Sequence, residues 1–290
     1  MNVAVLRSTG LIEAPLATVG AALRHTRTAE TGLAALGIRG RSLTSPDSLL
    51  VPGDELAFRL SAFTLTTRIV RADADGLSSV LVAGPLAQLR HETVLAQVGP
   101  RTLLTDSVRW TSPFGPLGRL GDVAVGRRLV LDVLAARIHA VRELAESWAA
   151  RTIVVGTAIV HEGRLLAQQR SYPASHAGQW ELPGGRVEPG EDESEAVVRE
   201  CREELDVEVR PTGRLGTDVP LDNGMLLRIH TAELKDPAQQ PAAVEHREVR
   251  WVSAAELPSL DWLETDRVLL HTLRELLEDS RLQGRSTTAE

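Results

Sequence analysis

Lysine is almost missing from this sequence: Lys235 is the only one among 32 basic residues, which leaves 31 arginines. Aromatic residues make up only 3%, with one tyrosine and three phenylalanines. Any site that needs a cationic side chain must therefore almost always use arginine. Cysteine is nearly absent too. Cys201 alone cannot close an internal disulfide, so an intracellular, cytoplasmic protein is expected. No apolar run approaches the roughly 18 residues that suggest a membrane span. The opening MNVAVLRSTGLIEAP is broken by Arg7 and Glu13, so neither a membrane anchor nor a signal peptide is expected. A net charge of −7 speaks against a nucleic-acid polymer as partner. No Walker loop, dinucleotide fingerprint or Ser/His/Asp signature is present, and His161, His230 and His246 lack metal-ligand spacing.

What is there is a soluble-type composition, 43% hydrophobic and 24% charged, over 290 residues, a length that suits two domains. Residues 2–7 alternate like a strand, and the stretch from Pro15 to about Leu36 reads as one or two short helices. From Glu55 to Trp110 the pattern is strand-like: LAFRLSAFTLTTRIV, SSVLVAG, LRHETVLAQVG and RTLLTDSVRW, parted by Asp73–Gly76, Gly84-Pro85 and Gly99-Pro100. After the loop at 111–118 an apolar stripe of Val123, Val130, Leu134, Ile138, Val141 and Leu144 predicts a helix of about 28 residues, about 40 Å long, to about Ala150. This order makes an α+β domain with a long helix laid on an antiparallel sheet. With TLLTDSVRWTSPFGPLGRL as last strand and turn, residues 1–148 resemble the SRPBCC (START-like, polyketide cyclase-like) helix-grip superfamily. The resemblance implies a small-molecule-binding domain with an apolar ligand. Arg24, His25, Arg27, Arg68, Arg71, Arg90 and His91 are polar positions there that form no catalytic constellation.

Arg151 starts afresh. TIVVGTAIV is an apolar strand, Glu162-Gly163 turns it into a second strand, RLLAQQR, and a Gly/Pro loop leads to an acidic helix, further strands and a last helix from about Glu264. A second domain over 151–280 and a frayed tail over 281–290 are expected. Pro183-Gly184-Gly185 and Pro189-Gly190 build a tight loop whose backbone can approach a ligand. Asp192 and Glu195 have capping-box spacing, so the helix starts near residue 193. Glu200, Glu203 and Glu204 then share one face at i, i+3 and i+4. Alone, that cluster reads first as a solvated helix with Arg199 and Arg202 as charge partners. Alternatively, a hard divalent cation, Mg²⁺ or Mn²⁺, relieves the repulsion, holds phosphate oxygens and activates water.

The whole run from Gly185 to Val207 (Gly, five residues, Glu191, seven residues, Arg199-Glu200, then Glu203-Glu204) resembles the Nudix box. WELPGGRVEPGE leads in, and the similarity extends over 151–279. The nearest likeness is to the MutT and CTP-pyrophosphohydrolase branch, which implies an α/β/α sandwich with a mixed sheet. It also implies a Mg²⁺- or Mn²⁺-dependent pyrophosphohydrolase that cleaves a nucleoside triphosphate, oxidised, non-standard or pyrimidine, to monophosphate and pyrophosphate. By this resemblance Glu200, Glu203 and Glu204 bind metal and act catalytically, joined by the Gly184 carbonyl and by Glu245 on a later loop. The general base is open among Glu200, Glu203 and Glu245.

Arg170, at a strand end, is a substrate contact or a structural ion-pair partner. His176 is a phosphate contact or a plain loop histidine. Glu181 orients the loop or its waters, and Asp266 reads a base edge or serves the helix dipole. Trp180 reads as core, with stacking as the alternative, and Cys201 as packing. Asp206 replaces the box glycine at the helix C-terminus, where the left-handed conformation costs about 1 kcal/mol. A second reading of the whole chain is a sensor of nucleotides and apolar ligands with a weakly active Nudix domain.

Overall fold

The computed structural model describes residues 4–43, 48–60, 63–111 and 126–287. It divides into two compact units, Met1–Ala150 and Arg151–Glu290. Among the described residues no helix is long and apolar enough to cross a membrane.

The first unit is a curled antiparallel sheet of seven strands: β1 (Ala4–Ile12), β2 (Arg39–Ser42), β3 (Glu55–Leu60), β4 (Phe63–Asp73), β5 (Gly76–Ala83), β6 (Gln88–Val98) and β7 (Arg101–Thr111), in the order β1-β7-β6-β5-β4-β3-β2. Consecutive strands from β2 to β7 pair as hairpins, and β1 closes on β7 with Leu6 opposite Val108. In β7 the alternation of Thr102, Leu104, Asp106, Val108 and Trp110 puts these residues on the covered face. Helices α1 (Leu16–Arg24), α2 (Thr26–Thr31) and α3 (Arg127–Trp148) complete the unit. The helix α3 has 22 residues, and Leu134, Ile138, Val141, Ala145 and Trp148 are its buried face. The stretch before Gly126, with Val123 of the expected stripe, lies outside the described residues. Ala145 and Trp148, not Leu144, continue the buried stripe because a 3.6-residue period drifts from a strict seven-residue one. The strand-like run LAFRLSAFTLTTRIV is two strands: Leu60 pairs with Phe63, so the chain doubles back in a run with no glycine or proline to announce it.

The second unit has a six-stranded mixed sheet. β8 (Ile153–His161), β9 (Arg164–Gln169), β10 (Trp180–Glu181), β11 (Val209–Pro220) and β12 (Leu226–Leu234) follow the order β10-β9-β8-β12-β11, and β13 (Glu248–Val252) also pairs β9. β8 and β12 run parallel. The β8–β9 turn is Glu162-Gly163, both with positive φ, the tight hairpin its sequence predicts. Helix α4 (Glu193–Leu205) packs Val197, Cys201 and Leu205 against Val155, Ile159 and Leu166. Burying the Cys201 side chain pushes its thiol up to about 12, as suits a packing residue. α5 (Glu264–Arg267) and α6 (Leu270–Thr287) end the chain. The backbone of α6 stays helical to Thr287, past residue 281 where fraying is expected from the sequence.

Both ends of α4 are fixed by identifiable chemistry. At its start Asp192 and Glu195 form the reciprocal capping box. Glu193 also meets two guanidiniums, Arg228 of β12 and Arg214 of β11 at 2.8 Å, and the imidazole of His230 at 2.9 Å. Arg228 is itself held by buried Asp218 through bonds of 2.8 and 2.7 Å. Burial disfavours the Glu193 charge, but the hydrogen bond from His230 and the two guanidiniums outweigh it and hold the carboxyl down at about 2. At the other end Asp206 takes the left-handed conformation, φ 54° and ψ 40°, as its place in the box predicts.

Candidate active site

The loop Leu182–Gly185 is strapped to the edge of β8. The Thr157 amide donates to the Pro183 carbonyl at 2.7 Å, and the Val155 amide donates to the Gly185 carbonyl at 2.8 Å. Only glycine fits at residue 184. Its φ is 152°, and a Cβ there would lie 2.0 Å from the Val155 carbonyl oxygen. A Cβ on Gly185 would strike the Glu200 carboxylate at 2.2 Å. The two glycines thus let the loop lie directly under the glutamate face of α4.

Glu204 is the innermost of the three glutamates. Its Oε2 accepts from the Gly184 amide at 2.8 Å and from Gln168 Nε2 of β9 at 2.9 Å. Burial pushes its carboxyl up to about 7 despite those two donors. Its other oxygen, Oε1, lies 3.9 Å from Nδ1 of His246, a buried nitrogen with no hydrogen-bond partner among the described residues. Glu200 is raised above the usual carboxylate range, again by burial. Arg199 Nη1 donates to Glu200 at 2.8 Å and to Glu203 at 3.1 Å, while Glu191 and the Arg186 carbonyl anchor the rest of the guanidinium. Glu203 is the most exposed of the three.

The box residues are therefore adjacent but not gathered into one ligand set. Among the described residues no group of three His, Cys, Asp or Glu side chains is arranged to hold a metal ion. Glu200 and Glu203 turn to Arg199, whereas Glu204 turns to the loop. The donor set nevertheless suits a hard cation. Glu204 is a buried carboxylate short of positive charge, and Glu200 lies over Gly185. The Gly184 carbonyl meets no donor among the described residues, whereas the carbonyls on either side of it are used by β8.

The residues around this centre fall differently from the sequence pattern. Arg170 donates to Glu181 at 2.6 Å and through Nε to the Tyr172 carbonyl, so here it is an ion-pair partner. Glu181 bridges Arg170 and His246, whose Nε2 lies 2.9 Å from Glu181 Oε1. His246 is thus part of a chain Arg170–Glu181–His246–Glu204. No motif spacing marks it, because β10 and the loop before β13 meet only through the sheet. Glu245, next to it, is exposed and touches Ser171 through its backbone carbonyl, so its side chain is not brought to the glutamates. The chain bends at these residues, and His246 is the one whose side chain turns inward. His176 is exposed and its Nδ1 lies 3.0 Å from Gln179 Oε1. Trp180 is buried, with Arg250 stacked 4.9 Å from its ring centroid. Asp266 is buried with both oxygens used: Oδ1 accepts from the Leu182 amide at 3.2 Å and Oδ2 from Thr265 at 3.1 Å. It braces the loop from below, and burial pushes its carboxyl up to about 7.

Residues 150–273 match the NUDIX domain family. "Putative 8-oxo-dGTP diphosphatase 2" of Mycobacterium tuberculosis is 41% identical over 131 residues, which cover 44% of this chain and 92% of that protein. "CTP pyrophosphohydrolase" of Escherichia coli is 32% identical over 123 residues, 42% of this chain and 91% of that protein. The solution structure of the E. coli ORF135 protein is 31% identical, with a TM-score of 0.39, covering 43% of this chain and 90% of that one.

Proposed function

The chain belongs to the NUDIX family through its second unit, and from that premise we propose that it cleaves the diphosphate linkage of a nucleoside triphosphate to a monophosphate and pyrophosphate. It is a Nudix hydrolase acting on nucleotides. The narrower substrate proposed is an oxidised purine triphosphate such as 8-oxo-dGTP, or a pyrimidine triphosphate, following the names of the two relatives. The observation that carries the reading is the Glu204 carboxylate, seated on the Gly184 amide at 2.8 Å and pushed up to about 7 by burial.

Mg²⁺ or Mn²⁺ is the proposed cofactor, held by Glu200, Glu203, Glu204 and the Gly184 carbonyl. Such a cation neutralises phosphate charge and makes water more acidic. The chain's own residues prepare the site. Gln168 and the Gly184 amide fix Glu204, and Arg199 holds Glu200 and Glu203 on the loop side of α4. His246, oriented by Glu181, keeps Nδ1 toward Glu204 and is placed to hold a proton or water there. With Lys235 paired to Glu208 at 3.2 Å, arginines and the cation must meet the phosphates.

The first unit is proposed to be a helix-grip module that binds a small apolar molecule. Its cavity favours a second reading, a nucleotide-responsive sensor with weak hydrolysis. Incubation of the full chain with a nucleotide panel and Mg²⁺ or Mn²⁺, with products identified by phosphorus NMR, tests both. The enzyme reading requires pyrophosphate release that Glu203→Gln and Glu204→Gln abolish. Wild-type protein inactive across the panel would overturn it in favour of the sensor.

A further inference from the structure

The concave face of the first unit's sheet encloses a cavity of about 280 Å³. Its wall is apolar, with Leu56, Phe58, Ile69, Trp110 and Leu134 among the lining side chains. Phe63 and Leu129 also line it and are 47% and 40% exposed, an apolar rim that water does not favour.

One part of the lining is polar. Ser79 of β5 and His91 of β6 are register partners, so they stand side by side on this face, with Thr67 of β4 nearby. Thr67 and Ser79 are each 4% exposed, and their hydroxyls meet no partner among the described residues. Arg137 of α3 closes the row. Its Nε donates to Asp106 at 3.1 Å, which fixes the plane of the guanidinium, while one Nη group reaches only Thr93, at 3.4 Å, and the other has no partner among the described residues. Asp106 also receives Thr93 Oγ1 at 2.7 Å and lies 2.5 Å from His91 Nε2. Burial disfavours its charge, but His91 and Arg137 outweigh burial and hold its carboxyl well below the usual range. One carboxylate thus faces an imidazole and a guanidinium, and the guanidinium N–H groups that Asp106 does not take are left beside the cavity.

We propose that this cavity binds a lipophilic monocarboxylate, its tail against the apolar wall and its carboxylate on Arg137, Ser79 and Thr67. This deepens the reading of the first unit as a small-molecule module and rests on it. At about 30 Å³ per water-sized group, the volume suits a ligand of roughly ten non-hydrogen atoms. A guanidinium already oriented by Asp106 loses little freedom on meeting a carboxylate, which favours the anion over a neutral isostere.

The test is calorimetric titration of the full chain with octanoate and, separately, with octanamide, which has the same size and no charge. The expected result is one octanoate per chain, bound at least tenfold more tightly than octanamide. Arg137→Met should bring octanoate to the octanamide level, and Val133→Phe, which fills the cavity, should weaken both. Arg137→Met strands buried Asp106, so Ser79→Ala and Thr67→Val serve as independent variants, each expected to reduce octanoate binding several-fold and octanamide binding less. Equal binding of octanoate and octanamide overturns the anionic-head inference while leaving a ligand-binding module. Binding of neither overturns the module reading as well.

Discussion

Replacing Asp266 by Asn should stabilise the second unit at neutral pH and flatten its pH dependence. The carboxyl is buried, its value is raised from 3.8 to about 7, and Glu181 adds negative charge nearby. The folded state therefore binds its proton more tightly than the unfolded chain does. Stability is greatest below the unfolded value near 3.8, falls as pH rises through the window to about 7, and is level above it. A shift of about 3 pH units at about 1.4 kcal/mol each sets a loss of up to about 4 kcal/mol across that window. Asn keeps Oδ1 as acceptor for the Leu182 amide and can donate to Thr265, so the loop contacts survive without the charge. Amide hydrogen exchange read by mass spectrometry on peptides from β8 and β9 isolates this unit from the other. The gap in stability between the Asp266→Asn variant and the wild-type chain should widen by about 2–4 kcal/mol between about pH 4 and 7.5 and then level off. Parallel profiles across that range would show that Asp266 does not titrate there, and the account of its burial would be wrong.

Other outcomes follow from the same contacts. Addition of Mg²⁺ should raise the melting temperature of the second unit, by up to about 2.7 kcal/mol of stability at a hundredfold excess over Kd, and Glu204→Gln should remove that shift in a thermal melt. Chelation with EDTA should abolish hydrolysis, restored by Mg²⁺ or Mn²⁺. Gly184→Ala should cost about 2 kcal/mol or more in denaturant unfolding and eliminate hydrolysis, since a Cβ at φ 152° would sit on the Val155 carbonyl. Asp206→Gly should change stability by less than about 1 kcal/mol, because relief of the left-handed strain is offset by the freedom glycine gains in the unfolded chain, and nucleotide hydrolysis should be unchanged.

Short-range rules made much of the second unit legible. The hairpin at Glu162-Gly163, the capping box at Asp192 and Glu195, the left-handed Asp206 and the common face of Glu200, Glu203 and Glu204 each depend on residues within four positions of one another. Cys201 as a packing residue follows from the same helical period. In the first unit the strand β7 and the α3 stripe at Leu134, Ile138 and Val141 were readable too, whereas the Leu60–Phe63 reversal had no glycine or proline to reveal it.

By itself the sequence determined where helix α4 begins and ends, the tight turn at Glu162-Gly163 and which carboxylates crowd one helix face, because local sterics, hydrogen-bond capping and helical period set these. Only the tertiary structure decided that Arg199 takes Glu200 and Glu203 while Glu204 turns inward, and that His246, not Glu245, faces the glutamates. It likewise decided that Asp266 braces the loop and that His91, Asp106 and Arg137 meet beside an apolar cavity. These partners lie 15 to 84 positions apart in the chain wherever they join different elements of the fold. Their charges are set by burial and by neighbours that sheet pairing brings together, neither of which local sequence encodes.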